Sequence, residues 1–309
     1  MVAYSKIGSS ISLSSRGFDF GPTPPANVQG YIALFYSKGD LKMSTKKLNV
    51  GKSEIRTPGK HSALNKYLGK HVGVIDGHPG YKYKTFHVID CTAGDGIASS
   101  ESGFTSPSII QHHYLEMKER GIDIRALLIE KQINTYKKLK ENTILPVKNM
   151  DARKLTKIWN DKDILFIIND PNHIGNWSLP ESLSKAPKLT TVFSTLGCNV
   201  GGLKRLPAEE RIKWKEQIYN QLNLLQHWHD ALLVRLERDH QQWAYLVNAS
   251  DKWRESLEKC FSSSFKDWKK GLSMTWLKLD PKKFEDEISL LITSRKDNVK
   301  GGQLEIFDA

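Results

Sequence analysis

The chain is poor in cysteine, with three in 309 residues. Cys91, Cys198 and Cys260 lie far apart and form no C-x-x-C pair. A thiolate zinc site and a disulfide framework are therefore not expected, and a reducing, cytoplasmic setting is the default. No apolar run approaches the roughly 18 residues of a membrane span, so no membrane partner is expected. The first residues carry no basic patch followed by an apolar core and a cleavage site, which argues against a secretory signal. There is no Gly-Lys-Ser/Thr phosphate loop, and the turn Gly94-Asp95-Gly96 lacks the third glycine of a dinucleotide fingerprint. Asp239-His240 has no serine or cysteine in a nucleophile context, which excludes the usual hydrolase arrangement. His112-His113 and the pair His227 and His229 lack a second ligand pair at metal spacing, so no metal ligands are expected among them.

Positive charge is plentiful, and its placement matters more than its total of +12. Residues 1–85 hold 13 Lys/Arg against 4 Asp/Glu, whereas residues 86–250 hold 21 against 19 and residues 251–309 hold 12 against 11. The basic excess thus precedes a nearly neutral body. A basic segment beside an active-site face suits a polyanion, most simply nucleic acid. A solvated lysine-rich arm with no specific partner is the plain alternative.

The body opens on Phe86-His87-Val88-Ile89-Asp90-Cys91-Thr92-Ala93-Gly94-Asp95-Gly96, an apolar strand that ends on an acid and runs into a glycine turn. Backbone that must approach a ligand closely needs glycine, because a Cβ would block it. A second apolar run, Ala126 to Ile129, ends on Glu130, and a third acid, Asp151, follows in Asn149-Met150-Asp151-Ala152. The strongest strand, Ile164 to Ile168, leads into Asn169-Asp170-Pro171-Asn172. In open α/β sheets ligands bind outside the carboxyl ends of strands. Any one of these acids fits a helix cap or a turn, but four in succession at strand ends form a site pattern.

Strands are expected near 86–90, 125–129, 163–168 and 190–195, with a weaker one near 144–148. Ser106-Pro107 reads as a helix start, a cap followed by a first-turn proline, with Ile109, Ile110, Tyr114 and Met117 on one face. Such alternation implies an α/β fold with a Rossmann-like, doubly wound, mainly parallel sheet. Met274 to Leu277 and Ile288 to Ile292 read as an antiparallel edge pair joined at Asp280-Pro281. Residues 207–229 show a helical stripe through Trp214, Ile218, Leu222, Leu225 and His229. Residues 231–248 fit either a hairpin, with Leu232–Leu236 facing Trp243–Val247, or a continued helix. The expected organisation is a basic, loosely ordered extension over 1–56, in which Tyr31 to Tyr36 could form a short strand. An α/β domain follows over 57–300, with a helical or hairpin insertion around 203–270, and a tail over 301–309.

The ordered acids and the glycine turn resemble the class I S-adenosylmethionine-dependent methyltransferases. Asp90 to Gly96 is similar to their first motif, which implies that Asp90, Thr92, Ala93, Gly94 and Gly96 line the cofactor. The resemblance implies that Glu130 holds the ribose hydroxyls and that Asp151 reads the adenine amine. Asn169-Asp170-Pro171-Asn172 resembles their fourth motif, although Asn172 and His173 stand where the amino-methylating branch has Pro and an aromatic residue. That departure bears on the methyl acceptor more than on the cofactor. A narrower resemblance, over residues 57–205, is to the three-Cys-motif partner proteins of bacteria and mobile elements. It rests on Thr57-Pro58-Gly59-Lys60-His61 leading to Tyr67-Leu68, on Gly103-Phe104-Thr105-Ser106-Pro107, and on Asp170 through Trp177. Met43 is a candidate start, because the resembling part begins after it.

The expected function is transfer of a methyl group from S-adenosylmethionine to nucleic acid, an adenine exocyclic amine in DNA or RNA. Such an amine is a poor nucleophile, since its lone pair is delocalised. Asn169, Asp170 and the following backbone carbonyl are the expected acceptors of its N–H bonds, with Pro171 fixing the turn. His173 or Trp177 would stack on a base taken out of its helix. The alternative is a catalytically degenerate protein of the same fold that binds nucleic acid or a protein partner.

Overall fold

The computed structural model describes residues 57–81, 83–98, 104–171, 179–195, 231–238, 241–248, 253–266 and 272–277, with isolated positions at 207, 209 and 212. The 1–56 extension, the stripe over 207–229 (apart from those positions) and the expected strand at 288–292 lie outside them.

Helix α1 (Thr57–Gly77) precedes β1 (Phe86–Asp90), and α2 (Ser106–Glu119) leads to β2 (Ile124–Glu130). Then come α3 (Ile133–Asn142), β3 (Val147–Asn149), β4 (Ile164–Asn169) and β5 (Leu189–Thr195). The hairpin β6 (Ala231–Arg238) and β7 (Gln241–Asn248), helix α4 (Arg254–Ser264) and β8 (Leu272–Leu277) follow. One sheet takes all eight strands in the order β3-β2-β1-β4-β5-β7-β6-β8. The first five are parallel, and β7, β6 and β8 pair antiparallel in turn. This is a Rossmann-like, doubly wound sheet whose chain path reverses direction between β1 and β4.

Every residue of β1 and β4 is buried, as expected of parallel strands covered on both faces. The 231–248 segment is the hairpin, in the register Leu232↔Val247 through Leu236↔Trp243. It belongs to the sheet itself rather than to an insertion, since β7 pairs directly with β5. Among the described residues the antiparallel edge is accordingly three strands, and Leu232 and Val234 of β6 oppose Trp276 and Met274 of β8. The cap of α2 is Thr105 rather than Ser106. Its hydroxyl accepts the Ser108 amide at 3.2 Å, and Ser108 Oγ accepts the Thr105 amide at 2.8 Å, a reciprocal capping box.

Helix α1 buries Ala63, Leu64, Tyr67, Leu68, Val72 and Ile75, a stripe at helical spacing. His71 pegs it to the sheet. One ring nitrogen lies 3.0 Å from the Tyr67 carbonyl, the other 3.1 Å from Thr191 Oγ1 on β5, and the ring stacks on Trp253. Burial pushes the His71 pKa down to about 4, so this peg is neutral. At its first turn α1 lies against Phe265, and a Cβ on Gly59 would come within 2.4 Å of that ring. The glycine permits the close packing that sets the next residue, Lys60, over the strand ends.

Candidate active site

The switch point between β1 and β4 gathers most of the residues singled out from the sequence. Asp90 ends β1 between Leu128 of β2 and Ile168 of β4. Beyond it the chain straddles both neighbours, since the Cys91 amide donates to the Ile168 carbonyl at 2.8 Å and the Ala93 amide to the Ile129 carbonyl at 3.1 Å. Gly94 and Gly96 have φ of 69° and 71°, the left-handed region that costs glycine little and other residues more. A Cβ on Gly94 would meet nothing within 4 Å, so its outer face is open space. On Gly96 it would meet Leu139 Cδ1 at 3.1 Å, a tight contact that the leucine would have to relieve by shifting.

Glu130, at the end of β2, closes the turn from the other side. Its Oε2 accepts the Gly94 amide at 3.1 Å and its Oε1 accepts the Gln132 amide at 2.8 Å. Burial raises its pKa, while the amides of Gln132, Gly94 and Lys131 oppose the rise. Asp151 follows β3 and accepts the Arg153 amide at 3.1 Å. Its carboxylate is gripped by Arg153, with Nη2 at 2.6 Å and Nε at 3.0 Å, and by Lys131 at 3.2 Å. These cations hold its carboxyl well below the usual range.

Asp90 is fully buried. Its Oδ1 accepts the Thr92 amide at 3.0 Å, and Oδ2 makes no hydrogen bond of ordinary geometry. Burial pushes its pKa up to about 7. The nearby Ser106 hydroxyl and the Thr92 amide resist this, Asp170 adds to it and Lys60 opposes it. An acid that holds its proton longer in the folded state loses stability as pH rises from its unfolded pKa, about 3.9, through its folded one. Asp90→Asn is therefore expected to stabilise the fold at pH 8, by roughly 4 kcal/mol at most, and to leave it unchanged near pH 4. Urea denaturation of both proteins at the two pH values measures this. An equal difference at both would mean that the carboxyl is not held protonated.

Asn169 ends β4, fully buried, with Nδ2 donating to Ser194 Oγ at 3.3 Å and Oδ1 lacking any partner. Asp170 is held at three points. Its amide donates to Thr92 Oγ1 at 2.6 Å, its Oδ1 accepts the Thr195 hydroxyl at 2.6 Å, and its Oδ2 is ion-paired with Lys60. Pro171 is buried after it. His173 and Trp177 lie outside the described residues.

Sequence reasoning placed Lys60 in a family-like helix but not in the site. Lys60 and Asp170 are 110 positions apart, and no local pattern links them. Ser194 and Thr195 were likewise absent from the expected site, although the end of a strand beside β4 is a place to look. The arrangement offers a glycine cradle open to solvent, a carboxylate beside it, and a buried amide oxygen next to an oriented Asp. Such a set suits a ligand with hydroxyls and a cationic centre.

No protein-family model and no curated protein matches the chain. Among solved structures it has a weak likeness to a candidate class I S-adenosylmethionine-dependent methyltransferase from Listeria monocytogenes, at 10% identity over 65% of this chain and 62% of that one, with a TM-score of 0.33. A human methyltransferase 10 domain containing protein shares 13% identity over 60% of this chain and 81% of its own, with a TM-score of 0.30. The plantazolicin methyltransferase BpumL, in complex with SAH, shares 8% over 73% of this chain and 91% of its own, with a TM-score of 0.35. The chain spans less than two thirds of the Listeria protein. Likeness at this level carries no argument about the site, which stands on its own geometry.

Proposed function

We propose that the chain is an S-adenosylmethionine-dependent methyltransferase whose acceptor is nucleic acid, an adenine exocyclic amine in DNA or RNA. The observation that carries this reading is the open Gly94 face bordered by Glu130, with Asn169 and Asp170 at the adjoining end of β4. Glu130 would hold the ribose hydroxyls, and Asp151, held by Arg153, would accept the adenine amine in place of the exposed Lys131. The bound cofactor would supply an electrophilic methyl, so the protein's task is alignment. Asn169 Oδ1 is an unfilled buried acceptor, and burying such a group without a partner costs free energy that a donor N–H would recover. Asp170 and the backbone carbonyl after it complete the acceptor set. The basic excess of residues 1–85 supports a phosphate-bearing partner, and the ordered motifs over 57–205 support kinship with the three-Cys-motif partner proteins.

The second reading, a fold without catalysis that binds nucleic acid or a protein partner, has one observation in its favour. Both carboxylate oxygens of Asp170 are already taken, by Lys60 and Thr195. A labelled-methyl assay on DNA and RNA oligonucleotides separates the two readings. Transfer that weakens steeply with salt supports the first, and cofactor binding without transfer to any nucleic acid supports the second.

Glu130→Ala is expected to weaken S-adenosylmethionine binding by roughly 1.5–3 kcal/mol, the range for a lost charge-assisted hydrogen bond. Equilibrium titration of the variant checks this, and an unchanged dissociation constant would reject the ribose role.

A further inference from the structure

We propose that His112, His113 and Glu116 on α2 form a binding site for a divalent transition metal of the zinc class, set against α1. The proposal is independent of the switch-point site.

The three residues occupy one turn of helix, with Glu116 three residues after His113 and four after His112, so the carboxylate lies between the two rings. One ligand atom from each lies within 4.8 Å of the others. His113 is the informative member. It is 6% exposed, and its Nε2 lies 2.8 Å from Asn65 Oδ1 and 3.3 Å from the Asn65 backbone carbonyl. A backbone carbonyl only accepts, so Nε2 carries the hydrogen and the lone pair of the neutral ring sits on Nδ1. That Nδ1 is buried without a hydrogen-bond partner, and what faces it is Glu116 Oε2 at 3.4 Å. Two acceptors turned toward each other repel unless a cation stands between them.

A proton or a metal ion would serve. The rest has the form of a metal site. A ligating histidine commonly donates its other ring N–H to an oxygen that fixes its orientation, the part Asn65 plays here. On tetrahedral zinc, ligand atoms sit about 3.3 Å apart, given bonds of about 2.0–2.1 Å. The His113–Glu116 separation already matches, and exposed His112 has room to turn inward. Glu116 Oε1 is occupied by Arg120 Nη2 at 2.6 Å, and Arg120 is itself balanced by Asp76, so Oε2 is the oxygen left to bind. Imidazole and carboxylate ligands suit zinc and its neighbours rather than calcium or magnesium. Three protein ligands leave a fourth position to water. Gly69 of α1 gives the ring its place, since a Cβ there would lie 3.2 Å from His113 Cε1. The ion would thus stiffen the seam between α2, which begins beside Asp90, and α1, which carries Lys60.

The test is calorimetric titration of the chelator-treated full chain with Zn²⁺, with Mg²⁺ as the hard-cation control. One equivalent of Zn²⁺ is expected to bind and Mg²⁺ is not. His112→Ala and Glu116→Gln, both at non-buried positions, are expected to weaken Zn²⁺ at least tenfold with unchanged circular dichroism. Absent saturable Zn²⁺ binding, or binding that both variants retain at full strength, would overturn the proposal. So would ¹⁵N spectra showing His113 doubly protonated at pH 7, because a proton would then fill the gap.

Discussion

Gly94→Val abolishes S-adenosylmethionine binding while leaving the sheet assembled; this is the largest single effect expected from the switch-point geometry. The residue holds φ of 69°, and its missing Cβ faces open space rather than protein. A valine there meets no wall when the protein is empty, so the folded state bears only the backbone strain, about 1–3 kcal/mol. The bound state is different, because both γ carbons project into the face where the ligand backbone must lie. A loss of at least about a hundredfold in affinity follows, or more than roughly 2.7 kcal/mol. Gly94→Ala separates the two contributions, since it has similar strain and less bulk, and a smaller loss is expected. Circular dichroism and urea unfolding confirm that each variant is folded. Wild-type affinity in folded Gly94→Val would mean that the open face is not where the cofactor sits.

Asp170→Ala is the second large effect, with methyl transfer falling by about a hundredfold or more while the cofactor still binds. On the proposed reading Asp170 would border the methyl acceptor, whereas Asp90, Gly94 and Glu130 would frame the cofactor. The substitution also strands Lys60, whose side chain is only 9% exposed. Removing one member of a buried ion pair typically costs about 3–5 kcal/mol. The Asp170 side chain is 23% exposed, so water softens that penalty here. Asp170→Asn keeps an acceptor for the Thr195 hydroxyl and removes the charge, which makes it the cleaner variant. Lys60→Met approaches the same pair from the other side. If Lys60 orients Asp170, Lys60→Met lowers kcat and leaves cofactor affinity alone. If Lys60 only packs α1 onto the sheet, Lys60→Met lowers stability toward urea and leaves kcat in place. Full transfer by folded Asp170→Ala would remove Asp170 from the acceptor set.

The parts of the fold legible in the sequence are those where local pattern and final environment agree. Strands β1 and β4 are continuous apolar runs because both their faces are covered, and each ends on a polar residue at the site. The β6–β7 hairpin was ambiguous for the same reason. Ala231 to Val234 are all buried, so no alternation marked them as strand, and only the pairing with β5 and β8 decides. Strand β3 was weak because it is three residues long at the sheet edge, with Lys148 and Asn149 exposed. Thr105 was passed over as the cap because Ser-Pro is the louder signal, yet the hydroxyl one position earlier reaches the free amide.

In the site, residues at strand ends were legible and residues delivered by packing were not. Asp90, Glu130 and Asn169 follow from strands that stop on polar residues. Lys60 depends on α1 docking through Gly59 and His71, which no short motif encodes. His112, His113 and Glu116 had the right spacing along the helix. What the sequence could not display was the Asn65 contact from another helix that leaves the His113 Nδ1 lone pair facing a carboxylate.

The central claim, an S-adenosylmethionine site at the β1–β4 switch point, is tested most directly by calorimetric titration of the full chain with S-adenosylmethionine. Saturable one-to-one binding, competed by S-adenosylhomocysteine and lost in Gly94→Val, is the predicted result. A folded protein that takes up neither compound would contradict it and turn the switch-point residues to another ligand.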